Sequence, residues 1–369
     1  MTLHRPIRLA AVTVAGAIAL AACGSSSGTS GGSSDTSGAS GASGGALSGT
    51  LAGAGSSAQT AAMQSWIAGF QSANPDVTVN YDPVGSGGGR EQFIAGGTDF
   101  AGSDAYMSDD ELAKAKDRCG SEAVDIPTYI SPIAVVFNLQ GVDSLNLTPD
   151  TVAGIFHQDI KKWNDPAIAA DNPDAQLPDL AITPVNRSDP SGTTKNFTDY
   201  LSKAAPNVWT DAASEDWPVS GGEAANGTSG VIQAVGAGDG TVGYADASQA
   251  GQLGVASIKV GNDFVKYSPE AAAAVLEAST AVTGRPAGDL AIDVARDTTQ
   301  SGVYPIVLVS YEIFCTKYSD ATQGQLVKAF LSYIISSEGQ QAAASAAGSA
   351  PLTSTLSEQA QSSIDMISK

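Results

Sequence analysis

Strand and helix signals alternate along most of this 369-residue chain, which predicts an α/β fold. Three observations carry that expectation. Short apolar or β-branched runs end repeatedly in glycine, and several lead into a stretch with helical periodicity. Two longer apolar segments, Ile126 to Leu139 and Val303 to Phe314, read as crossings between two parts of the protein. The chain beyond residue 45 is about 320 residues long, more than one hydrophobic core usually holds, so two lobes are expected.

Gly49-Thr50-Leu51-Ala52-Gly53 reads as a short strand ending in glycines. Met63, Trp66, Ile67 and Phe70 then fall at i, i+3, i+4 and i+7, one apolar helix face that suits a core. Asn74-Pro75-Asp76 breaks this helix, and Val77 to Tyr81 reads as a strand. Ser86 to Gly89 is expected to be a glycine turn before a helix over Glu91 to Ala95. Thr98 to Ala101 reads as a third strand, leading to Gly102-Ser103-Asp104. Ser108 and Glu111 have capping-box spacing for a further helix. Ile126 to Leu139, interrupted at Ser131-Pro132, would leave the first lobe, and Val303 to Phe314 would return to it. Lobe I is thus expected over 46–130 and 303–369, and lobe II over 131–302. Helices over Gly324 to Ser336 and Ser337 to Ala347 are expected to pack on lobe I. No internal repeat is evident.

The N-terminus has the parts of a signal peptide over residues 1–22. Arg5 and Arg8 precede an apolar run, Leu9 to Ala22, of 14 residues. That is too short for a helix across a bilayer, which needs about 20. Leu20-Ala21-Ala22-Cys23 resembles the lipobox of bacterial lipoproteins, in which the Cys is acylated and becomes the first mature residue. The resemblance implies a chain lipid-anchored through Cys23 on the extracytoplasmic face of the cell membrane; an ordinary secretory signal that happens to hold a Cys is the alternative. Residues 23–45 are nearly all small and polar, without periodicity, and are expected to stay disordered. As a flexible coil this tether would reach roughly 25 Å.

The net charge is −20, and removing Arg5 and Arg8 with the signal takes it to −22. Such an acidic surface argues against nucleic acid and anionic lipid surfaces. It does not exclude a small anion, because local dipoles dominate a closed site. Cys119 and Cys315 remain after Cys23. Outside the cell they are disulfide candidates, with two separate buried thiols as the alternative. His4 and His157 are the only histidines, no metal-ligand spacing is present, and no Gly-x-Ser-x-Gly elbow occurs. No metal or cofactor is expected.

Three loops rich in glycine and hydroxyls stand before helices. They are Gly53-Ala54-Gly55-Ser56-Ser57-Ala58, Gly85-Ser86-Gly87-Gly88-Gly89 and Asp189-Pro190-Ser191-Gly192-Thr193-Thr194, the last preceded by Arg187. A helix N-terminus offers free N–H groups and a dipole that favours an anion. Each loop alone is more often a plain cap or turn, and it is the three together, with Arg187, that point to an anion. None fits the Gly-x-x-x-x-Gly-Lys-Ser/Thr pattern of nucleotide triphosphate sites.

These stretches resemble the phosphate-binding protein of the bacterial phosphate ABC transporter, the Pst family, over essentially the whole folded length. The matching residues are Leu51 to Ser57, Tyr81 to Gly89, Asp99 to Asp104, Ile160 to Pro166, Arg187 to Thr193 and Gly240-Thr241-Val242-Gly243-Tyr244. The resemblance implies a two-lobed periplasmic-binding-protein type II fold with the ligand cleft between lobes. It implies binding of inorganic phosphate, delivery to a membrane permease, and a monomer. Phosphate would meet Ser57, Ala58, Ser86, Asp104, Arg187, Ser191, Gly192 and Thr193, with Asp189 holding Arg187. The family commonly has Thr-Phe where this chain has Ser57-Ala58, so the hydroxyl is kept and the aromatic wall is not. Arg187 suits an oxoanion because its planar fork meets two oxygens.

Asp104 suggests a selection rule. Phosphate near neutral pH keeps a proton to donate to a carboxylate, whereas sulfate has none and would bring like charges together. A solvated turn or cap is the alternative role for Asp104. Trp163 reads as packing, and Tyr106 and Tyr129 are candidates for the cleft border. The rival functions are a phosphate-ester hydrolase on the same anion site, which lacks an evident base or metal, and a binder of another oxoanion, which Asp104 disfavours.

Overall fold

The computed structural model describes residues 47–368. The expected signal peptide, Cys23 and the tether lie outside the described residues.

The chain runs β1 (Gly49–Gly55), α1 (Thr60–Ala73), β2 (Val77–Asp82), α2 (Ser86–Ile94), β3 (Phe100–Ser103) and α3 (Asp109–Cys119). The long β4 (Ala123–Asn138) follows, then β5 (Ser144–Leu147), α4 (Pro149–Phe156), α5 (Pro166–Asp171), β6 (Thr183–Arg187) and α6 (Gly192–Ala204). Next come β7 (Glu223–Ala225), α7 (Gly227–Ala237), β8 (Thr241–Asp246), β9 (Gly254–Val260), β10 (Asp263–Val265) and α8 (Pro269–Ala273). The order closes with β11 (Thr280–Ala281), β12 (Ile292–Asp293), β13 (Val307–Cys315), α9 (Ala321–Ile335), α10 (Ser337–Ala347) and α11 (Ser354–Asp365).

The main sheet has the order β2-β1-β3-β13-β4-β8-β6-β7, with β9 also on β4 and carrying β5 and β10. β4 joins its two halves. Ala123 to Pro132 pair with β13, and Ile133 to Asn138 pair with β8. The partner changes at Pro132, a residue with no N–H to offer a ladder. A register shift at Ser310/Tyr311 bulges the β4–β13 ladder beside the site.

One hydrophobic core runs through both halves. The α1 stripe buries Met63, Trp66 and Phe70. Phe70 meets Phe330 of α9 edge-on at 5.2 Å, and Trp66 Nε1 donates to the Gly339 carbonyl of α10 at 2.8 Å. In the other half Phe197 of α6 stacks on Tyr244 of β8 at 4.4 Å, with Phe156 edge-on to Phe197 at 4.8 Å. Cys119 and Cys315 form a disulfide, with Cα atoms 5.5 Å apart. It ties the end of α3 to the end of β13.

One local expectation is corrected. The Ser86 to Gly89 stretch is not a turn before a helix; it is the first turn of α2. Glycine in a helix interior costs about 1 kcal/mol relative to alanine. Close approach explains it here: a Cβ on Gly89 would lie 2.3 Å from the Gly55 Cα, and one on Gly87 would lie 2.7 Å from Pro190 Cβ. Glycine lets the start of α2 sit directly against β1 on one side and the Pro190 loop on the other.

Candidate anion-binding site

The loops after the parallel strands β1, β3 and β6 converge, as do the N-termini of α2, α6 and α7. This is the carboxyl-end edge of the sheet, where open α/β folds place ligands.

β1 ends in Gly55 at φ +151°, paired with Gly102 of β3. The chain then turns through Ser56 and Ser57 into α1. Ser56 Oγ accepts the Ala58 N–H at 3.0 Å and donates to Asp104 Oδ2. Asp104 follows β3 and is 1% exposed. Its second oxygen accepts from Ser310 Oγ of β13 at 2.8 Å. Burial pushes the Asp104 carboxyl toward holding a proton, while the Ser56 and Ser310 hydroxyls and the Arg187 charge pull it back.

From the other half, Arg187 ends β6 and is also buried. Its Nε donates to Asp189 Oδ1 at 2.8 Å and its terminal nitrogen to Asp189 Oδ2, a bidentate pair. Asp189 Oδ1 also accepts the Gly227 N–H at the start of α7, at 2.9 Å. The Arg187 N–H donates to the Tyr244 hydroxyl at 3.3 Å, and Tyr244 pairs with Thr194 Oγ1 at 2.7 Å. Tyr244 therefore steadies both the Arg187 strand and the first turn of α6.

The two halves touch here. A Cβ on Gly85 would lie 2.7 Å from Asp189 Oδ2 and 3.6 Å from an Arg187 terminal nitrogen. One on Gly192 would lie 2.6 Å from Ser86 Oγ and 2.8 Å from Asp104 Cβ. Asn196 Nδ2 donates to the Asp104 carbonyl at 2.6 Å.

The hydroxyls share a pattern. Ser86 Oγ accepts the Asp104 N–H at 3.1 Å, Ser191 Oγ accepts the Thr194 N–H at 3.2 Å, and Ser57 Oγ accepts the Thr228 N–H at 3.1 Å. A hydroxyl that accepts from the main chain keeps its own proton to give. Thr193 Oγ1 is buried and has no hydrogen-bond partner among the described residues. The site thus presents hydroxyl donors, one fork-shaped cation and helix N-termini, which is chemistry for an oxoanion.

All eight expected ligand residues and Asp189 lie in this one region. Among their N–H groups, those of Asp104 and Arg187 are engaged as described above, that of Ala58 with Ser56 Oγ, and that of Ser191 with the Glu215 carbonyl at 3.1 Å. Ala58 is fully buried, so no aromatic wall stands at that position. Trp163 packs in the core, its Nε1 donating to the Gly240 carbonyl at 3.1 Å. Tyr129 is buried against Trp66 at 5.7 Å, while Tyr106 lines a cavity of about 440 Å³ that reaches Asp104. Among the described residues no group of three His, Cys, Asp or Glu side chains is arranged to hold a metal ion. Sequence reading missed Ser310, Asn196, Gly227 and Thr228. Asn226-Gly227-Thr228 before a helix was the one local signal for two of them.

The fold and the site define a two-lobed ligand-binding protein, and the family described as "PBP superfamily domain" matches residues 40–338. Phosphate-binding protein PstS 3 of Mycobacterium tuberculosis is 38% identical over 337 residues, 90% of each chain. PstS 2 of the same organism is 40% identical over 285 residues, 75% of this chain and 76% of its own. The chain belongs to the PstS family of phosphate-binding proteins. Solved structures share the fold. A high affinity periplasmic phosphate-binding protein bound with phosphate superposes with TM-score 0.69 at 22% identity, over 85% of this chain and 93% of that one. The phosphate binding protein of Stenotrophomonas maltophilia does so with TM-score 0.64 at 22% identity, over 85% and 94%.

Proposed function

We propose that this chain captures inorganic phosphate outside the cytoplasm and delivers it to the permease of a phosphate ABC transporter. The observation that carries the reading is the meeting of Arg187, the buried hydroxyls of Ser86 and Thr193, and Asp104 at one edge of the sheet. Arg187 supplies the charge and Asp189 fixes its fork. Ser57, Ser86, Ser191 and Thr193 donate hydroxyl protons, and Gly192 donates its N–H at the start of α6. Ala58 donates its N–H by sharing it with Ser56. Asp104 accepts the proton that phosphate keeps and sulfate lacks. The relatives named above are phosphate-binding proteins, which supports the same ligand here.

The chain acts as a binder and not as an enzyme. The Ser57 hydroxyl, which a hydrolase would need to activate, meets the Thr228 hydroxyl and N–H rather than a base. It works as a monomer without a cofactor. Lobe I comprises 46–130 and 303–369, lobe II comprises 131–302, and the cleft between them closes on the ion.

Calorimetry with phosphate and with sulfate tests the reading. Phosphate is expected to bind and sulfate to be rejected; tight sulfate binding would remove the role given to Asp104. Cys23 carries the lipid that holds the protein at the membrane. Cys23→Ala is expected to release it from cells with phosphate affinity unchanged, and retention on the membrane would refute the anchor.

A further inference from the structure

Arg90 lies on α2, one turn past Ser86, and its side chain is 4% exposed. Within its own half it donates Nε to Glu111 Oε1 at 2.8 Å and a terminal nitrogen to Ser103 Oγ at 2.8 Å. Its other terminal nitrogen donates to both Glu215 oxygens, each at 2.7 Å. Glu215 belongs to the opposite half. It sits in the segment between α6 and β7, and the residue before it is stapled to α6: the Ser214 N–H donates to Thr198 Oγ1 at 3.0 Å, and Thr198 Oγ1 donates to the Ser214 carbonyl at 3.2 Å.

The position of this bridge matters. The Glu215 carbonyl accepts the Ser191 N–H, and the Gly87 N–H donates to the Pro190 carbonyl at 3.4 Å. A Cβ on Gly87 would meet Glu215 Oε2 at 2.9 Å. The Arg90–Glu215 pair therefore clasps the helix turn that bears Ser86 to the loop that bears Ser191, beside the anion site and outside it. If the halves separate, Arg90 keeps Glu111 and Ser103 and loses only Glu215, which then meets water. The bridge thus spans the two halves, and their separation would break it.

We propose that Arg90 and Glu215 form a latch that holds the halves closed and sets how long the anion stays, without taking part in its recognition. Both are positioning residues. This rests on the phosphate reading above. Breaking one member of a buried charged pair mainly raises the dissociation rate. Glu215→Gln keeps the carbonyl that serves Ser191 and removes the charge. Phosphate is expected to dissociate about 10- to 100-fold faster, with the association rate changed less than about threefold. Preference for phosphate over sulfate is expected to stay. Glu111→Gln is the control, because it touches Arg90 from the same half and leaves the bridge in place.

Stopped-flow rates for phosphate on the full chain decide the matter. A faster dissociation in Glu215→Gln but not in Glu111→Gln supports the latch. An unchanged rate in Glu215→Gln, an equal change in both, or lost preference over sulfate overturns it. Should Glu215→Gln not fold, Arg90→Lys decides: lysine keeps the charge but not the fork, so a several-fold faster release supports the latch and an unchanged rate overturns it. Should the parent bind no phosphate, the phosphate reading fails by itself. The latch is then judged by X-ray scattering from the protein alone: a larger radius of gyration in Glu215→Gln supports it, and an unchanged one overturns it.

Discussion

Asp104 and Asp189 are both buried carboxylates at the same site, one from each half of the sheet, yet their surroundings differ in kind. Asp104 is held by two neutral hydroxyls, Ser56 and Ser310. Asp189 is held by the Arg187 fork and by the Gly227 N–H. The first is a carboxylate that burial brings toward protonation. The second is one member of a fixed ion pair. In the proposed reading the difference separates two tasks: a carboxylate without a cation partner can accept a ligand's proton and repel a ligand that lacks one, whereas a paired one orients its cation.

The largest effect is expected from breaking the charged half. Arg187→Ala leaves Asp189 buried and unpaired beside an anion. Removing the cationic partner of a buried anion in a binding site costs about 2–5 kcal/mol of binding, so phosphate affinity should fall about 1000-fold by calorimetry. A loss under about tenfold would mean that helix dipoles and hydroxyls hold the ion without the fork.

A smaller effect, in selectivity, is expected from the hydroxyl-held half. Asp104→Asn removes the acceptor for a ligand proton and the repulsion of a ligand without one. Phosphate binding should weaken by roughly tenfold while sulfate binding gains by a similar factor. An unchanged ratio of the two affinities would assign Asp104 a purely structural role.

The smallest effect is on stability and uses a carboxylate of the same type that takes no part in the proposed recognition. Asp246 accepts from Ser131 Oγ at 2.5 Å and from the Ser248 N–H at 3.0 Å. Burial raises it from the ordinary 3.8 to about 6, against the pull of those serines. The folded state therefore holds a proton that the unfolded state has lost between these values. Stability from Asp246 is full below about pH 4 and is lost as pH rises through about 6. The melting temperature should decline over that window, and Asp246→Asn should flatten the decline by a few degrees. Equal pH profiles for the two proteins would show that Asp246 does not titrate there.

Much of the candidate site was legible because its residues sit in short runs with local physics. A glycine-hydroxyl turn before a periodic stretch announces a helix N-terminus, and Ser108 with Glu111 forms the capping box expected of that spacing. Arg187 and Asp189 are two residues apart, so their pairing needs only a turn. Ser310 and Asp104 are separated by 206 positions, and Thr228 and Ser57 by 171. Nothing local to Ser310 marks it, since within an apolar strand it looks like a lapse in the pattern. The register of β13 against β3, Tyr311 opposite Ser103, brings it to the carboxylate.

The sequence by itself determined the α/β class, the loops that meet at the candidate anion site, and the glycines that let backbone approach backbone. Periodicity, capping and turn chemistry act over a few residues, so they can be read along the chain. Only the tertiary structure decided that the second glycine loop is a helix turn, that Asp104 answers to hydroxyls and Asp189 to a cation, and that Arg90 reaches Glu215. Those outcomes depend on which strands pair and in what register, and on burial, which raises the cost of every unmatched polar group until a partner from a distant segment meets it.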